Sequence, residues 1–380
     1  MATGETGFDD VTFDLISVQG TAVLAADSAQ WLASPSQTPA PSNIGMTDVK
    51  QVEAVTRAMR VLDYQFGGGA CRDAVVAQLS WAQRLWSASS TDRVRARLFR
   101  ALADMQNLAG WTTFDVGLLD SSRKHFTTAL QYAKQSADPA LLSNIMYRIG
   151  RVFLHHGAPH EALRWFQLGQ RPAQNSGSEL AVAVLCGNEA WAYAMMGNGE
   201  QARKLLGRSQ DELARADLSE APDWARFYNE TDMHAMIGTV HTVLSAIDVK
   251  HAAIAIPAIN QSLTHYDESM SRSRTFMLIA LATNHLRQGD VDHGVGIGRD
   301  ALTLATGLQS KRVTDRLRPL ELAARESNNS DSRRLADLIR QHRSPVQLSG
   351  RLAGPAGGGG VEAARGRWPD RQDGVQFSDR

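Results

Sequence analysis

The chain has 380 residues, with 40 Lys plus Arg against 40 Asp plus Glu and two cysteines. The even charge balance excludes the basic face that phosphate backbones need, so this chain by itself is not expected to bind nucleic acid. Cys71 and Cys186 form no pair at metal-ligand spacing, which points to a reducing compartment and away from a disulfide framework.

The chain opens on acidic residues (Glu5, Asp9, Asp10) without the basic n-region of a secretory signal. No apolar run reaches the roughly 18 residues of a membrane span, so a cytoplasmic location is expected. In residues 1–45, Val11, Phe13 and Leu15 alternate as a short strand can, and Ser34–Ser42 reads as an extended, proline-containing linker. This segment is expected to be disordered or weakly structured. Order is predicted to begin at Thr47, taken as an N-cap. Val49, Val52, Val55, Met59, Leu62 and Phe66 follow at helical spacing. Gly67-Gly68-Gly69 stops that helix. Val75, Val76, Leu79 and Leu85 mark a second helix, with Trp81 and Trp86 beside it. The pair reads as an N-terminal cap.

A repeat follows. Asp92 opens a helix whose apolar face is Leu98, Leu102, Met105 and Leu108. A small residue and a turn glycine then recur seven apart: Gly110 with Gly117, Gly150 with Gly157, Ala190 with Gly197 and Ala282 with Gly289. The first two steps between turn glycines are 40 residues, and the third gap is 92, room for one more hairpin at Phe227–Tyr266 turning near Asp248. That copy is irregular: His241 stands where a small residue is wanted, and Pro257 interrupts its second helix. One hairpin cannot bury its apolar face alone, so stacked copies are required. A step of 40 exceeds the common tetratricopeptide period of roughly 34, so helices about one turn longer are expected. Asp138-Pro139 and Ala221-Pro222 break between hairpins, and Pro172 is predicted to end or kink a helix. A charged last pair, Ser310–Glu326 and Asp331–His342, closes the stack as an outer cap. Residues 344–380, with GPAGGGG and scattered arginines, lack a helical period and read as a disordered tail. The predicted fold is all-α: a right-handed α-solenoid of tetratricopeptide-like hairpins with helical caps over residues 46–343.

Several clusters invite chemistry. His155, His156 and His160 are near one another, but Gly157 and Pro159 break the helix that a metal pair would need, and a loop surface is the competing reading. His234 and His241 share a face without a carboxylate or cysteine partner. Gly294, Gly296 and Gly298 resemble a phosphate loop but follow no strand, so close helix contact is the alternative. Gly67–Gly69 lacks the Lys-Ser/Thr of a P-loop. Cys71 is read as a small buried residue rather than an activated thiol. No metal, cofactor or enzymatic activity is expected. Lys311, Arg312, Arg316 and Arg318 read as a solvated basic face. The better candidate is the concave groove lined by first helices: Asn107 and Trp111, then Asn144, Tyr147 and Arg151, then Asn188 and Trp191. Asparagines can hold an extended peptide backbone, aromatics supply area and arginine binds carboxylates. The alternative is that the tryptophans pack between hairpins while the asparagines bridge neighbours.

Thr47 to Leu79, TDVKQVEAVTRAMRVLDYQFGGGACRDAVVAQL, resembles actinomycete tetratricopeptide-repeat regulators. The matching features are Asp48-Val49, Leu62-Asp63, the triple glycine and Arg72. The likeness extends through the repeats and is greatest to the Nsd-type negative regulators of sporulation and antibiotic production in Streptomyces-like bacteria. It implies a regulatory protein that binds a protein or short peptide, with homodimerisation left open. A general adaptor without a transcriptional role is the alternative. Many relatives carry a helix-turn-helix domain ahead of this region. Residues 1–45 do not show its pattern, so action through a partner or a truncated start is expected.

Overall fold

The computed structural model describes residues 38–344. The chain divides into two units, Met1–Arg343 and Ser344–Arg380. The described part of the first is an all-α solenoid of helical hairpins. The readings made for residues 1–37 and 345–380 lie outside the described residues. Fourteen α-helices pair in chain order among the described residues. They are α1 (Met46–Phe66) with α2 (Gly68–Arg84), α3 (Asp92–Asp115) with α4 (Leu119–Gln135), and α5 (Pro139–His155) with α6 (Pro159–Asn175). Next come α7 (Glu179–Met195) with α8 (Gly199–Arg215), α9 (Glu230–Leu244) with α10 (Ala252–Leu263), α11 (Ser271–Arg287) with α12 (Val291–Thr306), and α13 (Lys311–Glu326) with α14 (Ser330–Arg343).

The hairpins form for local reasons. Gly117, Gly157, Gly197 and Gly289 adopt φ of +87°, +70°, +78° and +83°, the left-handed conformation that closes a helix without a Cβ clash. Asp138 caps α5 by accepting from the Leu141 N–H at 2.9 Å, with Pro139 at the first helical position. A Cβ at Gly150 would overlap the Phe166 ring, so this glycine admits the second helix of its own hairpin. Gly110 stands in the same relation to Phe126. In the irregular fifth hairpin the small position is Gly238, which admits Ile259, and the buried His241 lies three residues further on. The helices α5 to α8 each have 17 residues, consistent with the long repeat step.

Four local expectations need correction. The cap of α1 is Gly45, whose N–H donates to the Asp48 carboxylate at 2.8 Å, and Thr47 lies within the helix. Pro172 and Pro257 lie inside helices that run on past them, so neither ends its helix. The carbonyls four residues back belong to the exposed Leu168 and Ala253, so water can take the missing bond. On α1 the buried stripe is Val49, Val52, Thr56, Arg60 and Asp63, while Leu62 and Phe66 are exposed. That polar stripe has a cause in the tertiary structure. The α1–α2 pair is not an end cap on an open stack. Gly69 N–H donates to the Gln309 carbonyl at 3.0 Å, and Gln309 N–H donates to the Phe66 carbonyl at 3.2 Å. The first pair thus meets the start of the last, and the superhelix closes on itself.

Candidate functional site

Closure is fastened by ions. At the end of α3, Asp115 is fully buried and accepts from the Gly68 N–H at 2.7 Å, the Ser310 hydroxyl at 2.7 Å and the Arg312 guanidinium. Arg272, at the start of α11, grips Asp63 of α1 through two bonds of 2.8 and 2.9 Å, and lies 3.5 Å from Asp115. Burial opposes ionisation of Asp115, but Arg312 and Arg272 outweigh it and hold the carboxyl below its ordinary range. The triple glycine serves this junction. Gly67 is at φ +88°, and Cβ atoms at Gly67, Gly68 or Gly69 would run into Gln309 or into Thr112 and Asp115. Cys71, buried just beyond, has its thiol pushed up to about 12 by desolvation, so it is a packing residue.

The concave face is correspondingly filled. The long connection after α8 turns inward: Trp224 and Tyr228 are buried, and Phe227 stacks on Tyr147 with ring centroids 5.8 Å apart. Asn107 and Asn144 bond to each other at 3.0 Å, and Asn107 has no exposed surface. Arg148 lies over Trp111 and reaches the Asn107 carbonyl at 3.4 Å. Trp111 also carries Arg312, 4.1 Å from its ring centroid. Asn107, Trp111 and Asn144 therefore bridge neighbouring helices on the inward face and are covered by other parts of the chain. The remaining four predicted residues, Tyr147, Arg151, Asn188 and Trp191, converge on one pocket of ≈ 100 Å³.

That pocket is built across the ring. Arg151 donates to the side-chain Oδ1 of Asn188 at 3.1 Å and lies 4.6 Å from the centre of the Trp191 ring. Arg316 of α13 lies 4.4 Å from the centre of the same ring and 4.7 Å from that of Phe276. Desolvation and the neighbouring guanidiniums drive the Arg316 pKa down. His155, at the end of α5, is an inward residue: its Nε2 is buried, and burial next to Arg316 and Arg151 keeps the ring neutral. The basic patch expected on the last pair is thus split, with Lys311 and Arg318 exposed and Arg312 and Arg316 turned inward. Sequence reasoning missed Arg316 as a partner of Trp191 and Phe276 as a partner of Arg316. A signal was present for Arg316, because Arg312 and Arg316 stand four apart, on one face of α13.

Other features are accounted for by packing or pairing. A cleft of ≈ 590 Å³ runs between α1, α3 and the inward connection. Its arginines have acids: Arg97 with Glu53 at 2.8 Å, Arg57 with Asp223 at 3.2 Å and Arg100 with Asp138 at 2.7 Å. Gly294 and Gly298 sit against Leu286 and Leu335, the close contact expected of small residues, while Gly296 faces open space. His285, Asp290 and His293, around the Gly289 turn, bring their ligand atoms within 4.8 Å of one another and are a trio that can hold a metal ion. His156 and His160 are exposed. Among the described residues no helix is long and apolar enough to cross a membrane.

Comparison with solved structures finds likenesses of fold. The crystal structure of BtubC (BKLC) from P. vanneervenii is similar at 17% identity and a TM-score of 0.43, covering 62% of this chain and 89% of that one. No family model matches the chain. No curated protein matches it.

Proposed function

We propose that this chain is a cytoplasmic regulatory protein of tetratricopeptide type that recognises a peptide or protein segment on its inward face. Through that partner it represses genes of sporulation and antibiotic production. The regulatory clause rests on the resemblance of Thr47–Leu79. Recognition on the inward face is supported by one observation: Arg151 and Arg316, neither of them in an ion pair among the described residues, flank Trp191 at the rim of open space. A half-buried cation with no counter-ion is partly desolvated without recompense, and a ligand that supplies the counter-ion recovers that cost. Because α1 and the inward connection occupy the rest of the concave face, the admitted segment is short or enters by one end. Repression then requires a partner that contacts DNA.

Affinity capture of the tagged chain from its native cells, followed by mass spectrometry, tests this reading. The expected result is a transcription factor or short peptide that is recovered by the wild type and depleted with Arg151→Ala. Deleting the gene is expected to advance sporulation and raise antibiotic yield. Unchanged sporulation and antibiotic yield, with only metabolic partners recovered, would leave the protein a general adaptor.

A further inference from the structure

The pocket lined by Arg151, Asn188, Trp191, Phe276 and Arg316 has a defined chemical demand. Its two guanidiniums lie over aromatic rings, which attract a cation but offer its N–H groups no lone-pair acceptor. Those donors need acceptors. Arg151 spends one on Asn188, and its Nε is buried with no partner. Arg316 has no acceptor among the described residues, and it lines the pocket. The nearby carboxyl group, Asp232, accepts from the Tyr266 hydroxyl at 2.8 Å, and burial pushes its pKa up to about 7. Although it lines the same pocket, it forms no ion pair with either arginine. Elsewhere in the interior three arginines have acids, Asp104 for Arg60, Asp63 for Arg272 and Asp115 for Arg312, while the buried Arg148 has the Asn107 carbonyl at 3.4 Å.

We propose that this pocket binds a carboxylate whose oxygens bridge Arg151 and Arg316 while the apolar body of the ligand lies against Trp191, Phe276 and Phe227. Planar guanidinium groups match the two oxygens of a carboxylate, and the charge-assisted bonds form where water is scarce. The size of the pocket, ≈ 100 Å³, suits a carboxylate head with the rest of the ligand directed outward. Arg151 belongs to α5 and Arg316 to α13, so the bound anion joins the central repeats to the last pair and tightens the closed ring. The inference rests on the inward face being the binding site. The carboxylate belongs either to a free aromatic acid or to the C-terminus of a peptide.

Calorimetric titration and thermal melting of the full chain test it, in buffer of constant chloride. The probes are phenylacetate against phenylacetamide, and an acetylated hexapeptide ending in Phe against its C-terminal amide. Saturable binding of the acids, raised melting temperatures and at least about tenfold weaker binding of the amides are expected. Tighter binding of the peptide acid than of phenylacetate assigns the carboxylate to a peptide, and comparable binding assigns it to a small acid. Arg316→Met is expected to melt higher than the wild type without ligand, because an unpaired charge is gone, and to lose the response to acids. Arg151→Met is a second variant and loses the response as well. Equal behaviour of acids and amides, or an acid response kept by both variants, overturns the assignment. A failed capture with a positive titration removes the regulatory reading alone, and a captured partner with a flat titration removes the carboxylate alone.

Discussion

At the scale of residues, the interior is governed by where charges find partners. Asp115→Ala strips Arg272 and Arg312 of a shared counter-ion, and breaking such buried pairs costs about 3–5 kcal/mol. Urea denaturation is expected to show a loss of that size, and a variant within about 0.5 kcal/mol of the wild type would contradict the assigned role. The carboxyl of Asp115 is held low in the folded chain, so its stabilising contribution is complete above the unfolded carboxylate range near pH ~4 and is lost as pH falls through the folded value. Asp232 has the opposite sign. Burial raises it to about 7, against hydrogen bonds from Tyr266 and the backbone that favour the charged form. Its folded pKa exceeds the unfolded one, so stability falls as pH rises from ~4 towards 7. Asp232→Asn keeps an acceptor for Tyr266 and cannot ionise. Melting curves are expected to coincide for variant and wild type near pH ~4, with the variant the more stable at pH ~8.

Elements are set by small residues and turns. Gly150 lies under the Phe166 ring, so Gly150→Ala overpacks the hairpin and is expected to cost about 1–3 kcal/mol, read from the denaturation midpoint. The same change at Gly207, where an added Cβ meets nothing within 4 Å, serves as the control. Between the first two repeats the turn residue is Ala137 at φ +51°, where the next inter-repeat turn has Gly177 at +67°. The left-handed conformation costs a non-glycine residue about 1–2 kcal/mol, and glycine's extra freedom when unfolded returns part of that. Ala137→Gly is therefore expected to stabilise the protein by about 0.5 kcal/mol, and a loss of stability would show that the turn is not strained.

At the scale of the whole unit, closure changes how it unfolds. An open solenoid frays from its ends, because each repeat touches only its neighbours. Here α1 touches α11 through Asp63 and Arg272, and Gly69 touches Gln309. Asp63→Ala is expected to raise hydrogen exchange in α1, α2, α13 and α14 together while α5 to α8 keep their protection, with a larger radius of gyration in small-angle scattering. Loss of protection confined to α1 and α2 would mean that the two ends are energetically independent.

Much of the architecture was legible because hairpins are local. The glycine spacing, the Asp138-Pro139 break and the apolar faces at helical spacing depend on residues within about 20 positions of one another, and the resulting helix pairs fall where the spacing placed them. The inward positions of Tyr147, Arg151, Asn188 and Trp191 followed from the same periodicity. What it could not carry was the company these residues keep. Arg60 and Asp63 looked like ordinary polar positions on an apolar helix, and Arg316 like part of a solvated cap. Contacts across about 100 residues or more, such as Asp63 with Arg272, leave no period in the chain. The stacking of hairpins was written in the sequence. The closing of the stack, which buried the arginines and left two of them facing a pocket, was decided by the tertiary structure, because it depends on the summed twist of all the repeats.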